Sequence, residues 1–235
     1  MTTRIVSLNI QHGGGKRTAR IADWLATETA SAVVLPEWRN NSTGHFIRKR
    51  LTGSRFQTVA ASRAISKNSL LLAARDLTEW WEFTPPSSPK GGLMLIELKQ
   101  DIQVLGCYFP QRRAKASFFQ QCIHLAKKSP HVPFVMIGDL NTGNDLDIEG
   151  TGRRFYCADL FEALSTEAGL IDLWREQHGD RREWTWRSPK NGFRIDHVFG
   201  NEAFVACFPA FRCAIEHAPR DSGLSDHSAV VLEVD

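Results

Sequence analysis

Phe134-Val135-Met136-Ile137-Gly138-Asp139-Leu140-Asn141 is the stretch from which the rest of the chain is read. Four apolar residues make a buried strand, and polar residues begin as soon as the strand ends. Three other segments share this form: Ile5-Val6-Ser7-Leu8-Asn9-Ile10-Gln11, Val33-Val34-Leu35-Pro36-Glu37 and Arg194-Ile195-Asp196-His197. A fifth, Ser225-Asp226-His227, stands just before a strand pattern at 228–232. Strand ends on a rigid sheet hold side chains in fixed positions, so they suit a site.

Outward from these segments, strand-length apolar runs alternate with helical patterns. Strands are expected at 4–10, 32–36, 56–60, 69–75, 92–98, 102–109 and 134–137, and a further one at 79–84. Short strands are expected at 184–186, 194–199, 211–216 and 228–234. Ile21, Trp24 and Leu25 fall at helical spacing within 17–29. Helices are also read at 42–51, with Ser42 as N-cap, at 114–128 and at 157–168. The Pro- and Gly-rich run at 85–92 reads as a turn, because strand patterns continue on both sides, and 141–154 reads as a polar loop. Several strands are apolar on both faces and need cover on both sides. Two sheets packed face to face with helices outside provide it, within one α/β domain spanning 1–235.

The bulk numbers agree with a globular protein: 235 residues, 42% hydrophobic and 23% charged. A net charge of +3 suits an anionic partner without requiring one. Five cysteines lack C-x-x-C spacing, which argues against a zinc site and for reduced thiols in a cytoplasmic protein. Met1-Thr2-Thr3-Arg4 runs straight into a strand, so no secretory signal is expected, and the apolar runs are too short to span a membrane. His12-Gly13-Gly14-Gly15-Lys16 lacks P-loop spacing, and no G-x-S-x-G elbow accompanies Ser225. Lys16, Arg17 and Arg20 read as a solvated helix face. Arg48-Lys49-Arg50 and Gln111-Arg112-Arg113 are better placed to meet nucleic acid.

The strand-end residues form a chemical set. Glu37, Asp139, Asp196 and Asp226 are carboxylates of the kind that hold Mg2+. Asn9, Gln11 and Asn141 add amides for a metal or a phosphate oxygen. His227 is the natural proton carrier near neutral pH, and Asp196 can orient its ring. Each residue alone reads more often as a turn former, cap or buried structural group. Together they fit phosphoryl-oxygen hydrolysis: a metal to spread charge, a base for water and donors around the phosphate.

Six motifs in order resemble the endonuclease/exonuclease/phosphatase superfamily, most closely its exonuclease III and abasic-site endonuclease branch. Asn9 with Gln11 is similar to the first motif, Glu37 to the metal-binding glutamate and Tyr108-Phe109-Pro110 to the tyrosine motif. Gly138-Asp139-Leu140-Asn141, Gly192-Phe193-Arg194-Ile195-Asp196 and Ser225-Asp226-His227 resemble the remaining three. The resemblance implies a four-layer α/β sandwich of two mixed sheets, with the site at one end. It implies Mg2+ or Mn2+ held chiefly by Glu37, with Asp226 and Asn9 nearby. Asp139 would position or deprotonate the attacking water; Asn141, Tyr108 and His227 would hold the phosphate, with Asp196 supporting His227. Whether Asp139 or His227 is the base stays open.

Gln11 departs from the pattern by lacking a charge at the metal. Trp38-Arg39 replaces the usual residues after the glutamate, with Arg39 as a substrate-binding cation beside Arg112. Trp184, Trp186 and Phe193 read either as a pocket for an unstacked base or abasic sugar, or as packing. The expected activity is therefore a DNA-cleaving nuclease working in DNA repair. The alternatives are a phosphodiesterase or phosphatase for a small-molecule or lipid phosphate, and a non-catalytic nucleic-acid-binding module. DNA is the expected partner; no membrane and no obligate protein partner are expected.

Overall fold

Neighbouring residues of the central strands are buried in different places. Val34 packs with Ile5, Leu72, Ile96, Val135 and Val230, while Val33 and Leu35 pack with Ile21, Leu25 and Ile47. Side chains alternate across a strand, so a strand apolar throughout is covered on both faces. That is the architecture of this computed structural model, which describes residues 2–60, 67–85, 91–99, 101–128, 130–150 and 154–235.

The chain begins with β1 (Thr3–Ser7), α1 (Thr18–Thr27), β2 (Ala32–Arg39), α2 (Ser42–Gly53), β3 (Gln57–Ala60) and β4 (Asn68–Ala74). It then crosses to a second sheet with β5 (Leu77–Glu82), β6 (Gly92–Leu98), β7 (Gln103–Tyr108), α3 (Ala116–Lys128) and β8 (Phe134–Asp139). There follow α4 (Ala158–Thr166), β9 (Ile171–Asp172), α5 (Leu173–His178), and a hairpin of β10 (Trp186–Arg187) and β11 (Gly192–Phe193). The last elements are β12 (Asp196–Gly200), α6 (Glu202–Cys207), β13 (Arg212–Glu216), α7 (Ala218–Asp221) and β14 (Ala229–Val234).

Two mixed six-stranded sheets result, ordered β13-β14-β1-β2-β4-β3 and β5-β6-β7-β8-β12-β9. The pairs β1–β2 and β7–β8 are parallel. One core fills the space between the sheets; α1 and α2 cover the outside of the first, α3 and α4 that of the second. The expected four-layer α/β sandwich is therefore the observed fold.

Local differences have physical causes. Asn41, not Ser42, caps α2, accepting a bond from the Gly44 N–H at 3.1 Å. The helix expected from 114 starts at Ala116, after a 3₁₀ turn at Arg112–Lys115. The loop expected to be merely polar from 141 is partly buried, with Thr142 and Asp147 fully covered; its 151–153 segment lies outside the described residues. So does 86–90 of the Pro-rich turn. The strand expected at 184–186 is the short β10, which begins only at Trp186. Short helices α5 and α6 carried too few turns for their periodicity to be read. All five cysteines are free thiols. Among the described residues no helix is long and apolar enough to cross a membrane.

One buried ionic network ties the loop to the second sheet. Arg194, 1% exposed, bonds Asp147 at 2.7 Å and Asp172 at 2.6 and 3.1 Å. Burial alone would raise the Asp172 carboxyl, but Arg194 and His197 outweigh it and hold it far below the usual carboxylate range. A depressed carboxylate adds stability that is fully present above its unfolded pKa of about 3.9 and is lost as pH falls below that. Asp172→Ala is expected to destabilise the fold by about 3–5 kcal/mol at neutral pH, by leaving the buried Arg194 to share the Asp147 carboxylate with Arg175. Urea unfolding from neutral to acid pH should show this penalty shrinking with acidification; a penalty that stays constant with pH would refute the linkage.

Candidate active site

The site forms where both sheets end on the same side. Asp139 closes β8, and antiparallel pairing sets Asp196 of β12 directly opposite it. Tyr108, last in β7, pairs with Asp139 on the other flank. Gly138 makes the closeness possible: a Cβ there, at φ 146, would stand 2.0 Å from the Cys107 carbonyl oxygen. From the first sheet, Asn9 and Gln11 follow β1, Glu37 lies in β2 and Asp226-His227 precede β14. Glu37 sits at a register shift between Pro36 and Trp38 with φ 63. Gln11, His12 and Asn141 also hold left-handed φ values of 50, 55 and 51. Strained backbone of this kind gathers where a side chain is aimed at a site.

Asp139 accepts three bonds: Asn9 Nδ2 at 2.9 Å, the Asn141 backbone N–H at 2.8 Å and Asn141 Nδ2 at 3.2 Å. His227 Nδ1 lies 2.7 Å from Asp196 Oδ2. The ligand atoms of Asp139, Asp196 and His227 all lie within 4.8 Å of one another. Burial, reinforced by the Asp196 charge, holds the Asp139 carboxyl well above the carboxylate range. Burial pulls His227 down, but the charges of Asp196, Asp139 and Asp226 outweigh it and push it up to about 10. With no ion bound, the raised pKa favours the charged ring, which donates at both nitrogens. The trio is joined by the His227–Asp196 hydrogen bond.

Glu37 and Asp226 stand apart from the trio on the same cavity. Glu37 Oε2 accepts the His12 N–H at 2.7 Å, and Tyr108 donates its hydroxyl to Oε1 at 3.4 Å. Burial raises the Tyr108 phenol, so it stays protonated and donates. Trp186 Nε1 donates to Asp226 Oδ2 at 3.0 Å; Asp226 Oδ1 is buried with no partner among the described residues. Ser225 donates its hydroxyl to the Asn9 carbonyl, which joins the two strand-end motifs. Arg17 belongs to this frame and not to a solvated face: it donates to the carbonyls of Leu224, Gln11 and Ile10.

The cavity has a volume of about 430 Å³, within the usual range for pockets that bind small ligands. Asp139, Asn141 and His227 line its polar part. One wall is aromatic, with Trp186 and Phe193 stacked at 5.6 Å and 6° and Phe155 edge-on to Phe193 at 5.5 Å. Gln111, Arg112, Lys115 and Arg154 also line it.

Most of the residues expected from the sequence meet here, with exceptions. Asn9 and Tyr108 are buried behind the lining, at 1% and 4% exposed, and act on it through Asp139 and Glu37. Trp184 is not in the cavity: it packs on Gly192 and lines a separate groove with Arg182 and His217. Within a strand Trp184 and Trp186 would share a face, but the strand begins only at Trp186, so Trp184 lies outside it in different surroundings. Arg39 does not line the cavity; its Nε donates to Asn68 Oδ1 at 2.6 Å. Sequence reasoning missed His12, Asn68, Lys115, Phe155 and Tyr156. His12 had been set aside with its glycine run, and Lys115 gave no signal as one lysine among many.

No family model and no curated protein matches the chain. Solved structures do. A 3′ phosphatase NExo from Neisseria, bound to product DNA hairpin, superposes with a TM-score of 0.84 at 19% identity over 99% of each chain. The 3′-5′ exonuclease NExo from Neisseria meningitidis gives 0.84 at 20% identity, over 99% of this chain and 100% of that one. An AP endonuclease from Archaeoglobus fulgidus gives 0.79 at 16% identity over 99% of each chain. Their fold is also the fold of this chain. The expectation that six short motifs signal the four-layer sandwich is met.

The His227–Asp196 contact predicts a measurable titration. In metal-free protein, the His227 ring should stay protonated through pH 8 by NMR. Asp196→Asn should lower its pKa by more than about one unit, since an adjacent carboxylate is worth that much. An unchanged titration in the variant would remove Asp196 as the group that holds the ring.

Proposed function

We propose that this chain is a Mg2+- or Mn2+-dependent phosphodiesterase, a nuclease hydrolysing DNA in the manner of the exonuclease III and abasic-site endonuclease branch. The observation that carries the reading is the buried trio Asp139, Asp196 and His227 at the head of a cavity with a stacked aromatic wall. The likeness in fold to an exonuclease and an AP endonuclease supports it.

The donor set fits a hard divalent cation. Glu37 and Asp226 supply carboxylate oxygens, one of them buried without a partner, and Gln11 supplies an amide on the same cavity, while Asn9 is engaged by Asp139 and the Gln11 N–H behind it. When bound, the cation spreads the charge that builds on the phosphate and its leaving oxygen. Asp139, held above the carboxylate range, is suited to take the proton of the attacking water near neutral pH. Its three donors fix its direction. His227 is tied at Nδ1 to Asp196, which leaves Nε2–H to donate to a phosphate oxygen. This division favours Asp139 as the base. Asn141 spends both side-chain N–H bonds on Phe109 O and Asp139, so it acts by orienting Asp139. Trp186 and Phe193 suit an unstacked base or an abasic sugar, and Arg112 the neighbouring phosphate. DNA repair in the cytoplasm goes with this reading, a setting that the free thiols suit.

A phosphomonoester at a 3′ end is a second substrate class. The cavity volume of about 430 Å³ and the 3′ phosphatase of the same fold favour it.

A panel of abasic, nicked, 3′-phosphorylated, single- and double-stranded oligonucleotides with Mg2+ or Mn2+ tests the proposal. Asp139→Asn is expected to lose at least about 100-fold in rate, the scale of a lost general base. Glu37→Gln should need far more metal for the same rate, and excess EDTA should abolish cleavage. No turnover of any member of the panel would sink the reading.

A further inference from the structure

Lys115 is a buried ammonium beside this cavity to which none of the motifs assigns a part. It closes the 3₁₀ turn Arg112–Lys115, and Phe118, Phe119 and Cys122 of the following α3 anchor that turn on the second sheet. The residue is 1% exposed. Its Nζ donates to the Asn141 carbonyl, and it lines the same cavity as Asp139, Asn141 and His227. An ammonium carries three N–H donors. Among the described residues, that one carbonyl is its only hydrogen-bond partner, and no carboxylate lies within ion-pair distance. Burial lowers its pKa to about 8, with the Asp139 charge acting in the opposite direction.

A buried charge without a counter-ion is costly, and natural folds rarely keep one at a purely structural position. The Asn141 carbonyl by itself would be satisfied by a neutral donor. The residue lines a cavity whose substrate, if the protein is a nuclease, is an anion.

We infer that Lys115 is a further substrate-contacting residue, donating to a phosphate oxygen of DNA from the Asn141 side of the cavity. The inference rests on the nuclease reading. In this arrangement His227 and Lys115 both donate to the phosphate, one donor fixed by Asp196 and the other by the Asn141 backbone. The phosphate then becomes the counter-ion that the protein leaves out.

The test is equilibrium binding of a fluorescent oligonucleotide in EDTA, where no cleavage occurs, across a range of KCl. Lys115→Met is compared with the parent and with Lys115→Arg. Lys115→Met should bind about 10- to 100-fold more weakly, as for a lost hydrogen bond to a charged group. Its log–log salt slope should be shallower by about 0.7–0.9, one phosphate contact fewer. Lys115→Arg should keep the slope. Lys115→Met should melt no lower than the parent, because it removes an unpaired buried charge. If Lys115→Met does not fold, Lys115→Gln takes the same measurement. An unchanged slope in a variant of a parent that binds and cuts DNA overturns the role of Lys115 alone. A parent that neither binds nor cuts any oligonucleotide overturns the nuclease reading, and this inference with it.

Discussion

Two carboxylates that strand pairing forces side by side, and one imidazole that arrives from the other sheet, set the terms for this molecule. Asp139 and Asp196 face each other across β8 and β12, inside a hydrophobic frame. Two like charges there repel and lose their hydration. His227, from the head of β14 in the opposite sheet, supplies the compensating charge and bonds Asp196 at 2.7 Å. The contact therefore joins the sheets at the end where the chemistry would occur. It also raises the His227 ring, whereas burial and the Asp196 charge hold the Asp139 carboxyl up against the opposing charge of His227.

The surroundings divide by what they hold. Asn9, Asn141 and Tyr108 face inward and fix the carboxylates. Glu37 and Asp226 line the cavity, and Asp226 keeps one oxygen without a partner among the described residues. Trp186 links the two roles, since one face of its indole stacks on Phe193 while its N–H holds Asp226. A base or sugar against that indole would lie against a group that also positions a metal-capable carboxylate. Behind this, Arg194 bolts the loop of Asp147 to the strand that carries Asp196, so the motif's arginine is a strut rather than a site residue.

Much of the site was legible because its residues lie at strand ends. Runs such as Val33 to Glu37 and Val135 to Asn141 place an acid or amide where an apolar strand stops, and that boundary can be read from local pattern alone. Other contributions depend on which face a residue lands on. Trp184 and Trp186 look alike in sequence, yet only Trp186 enters the cavity, because β10 starts there. Arg39 looked free to meet substrate, but Asn68, twenty-nine residues away in β4, engages it. Lys115 carries no pattern at all, and its burial beside Asn141 arises from the docking of α3.

The amino-acid sequence by itself determined the layers and the inventory. Apolar strands without a polar face require cover on both sides, and ordered acids, amides and a histidine fit metal or phosphate chemistry. The tertiary structure decided the roles. Cross-strand register brought Asp139 and Asp196 together, and sheet packing gave His227 to Asp196. A shift of one residue at Glu37 turned its carboxylate to the cavity. Hydrophobic pattern is local and readable along the chain, whereas charge compensation depends on distances between segments that only folding sets.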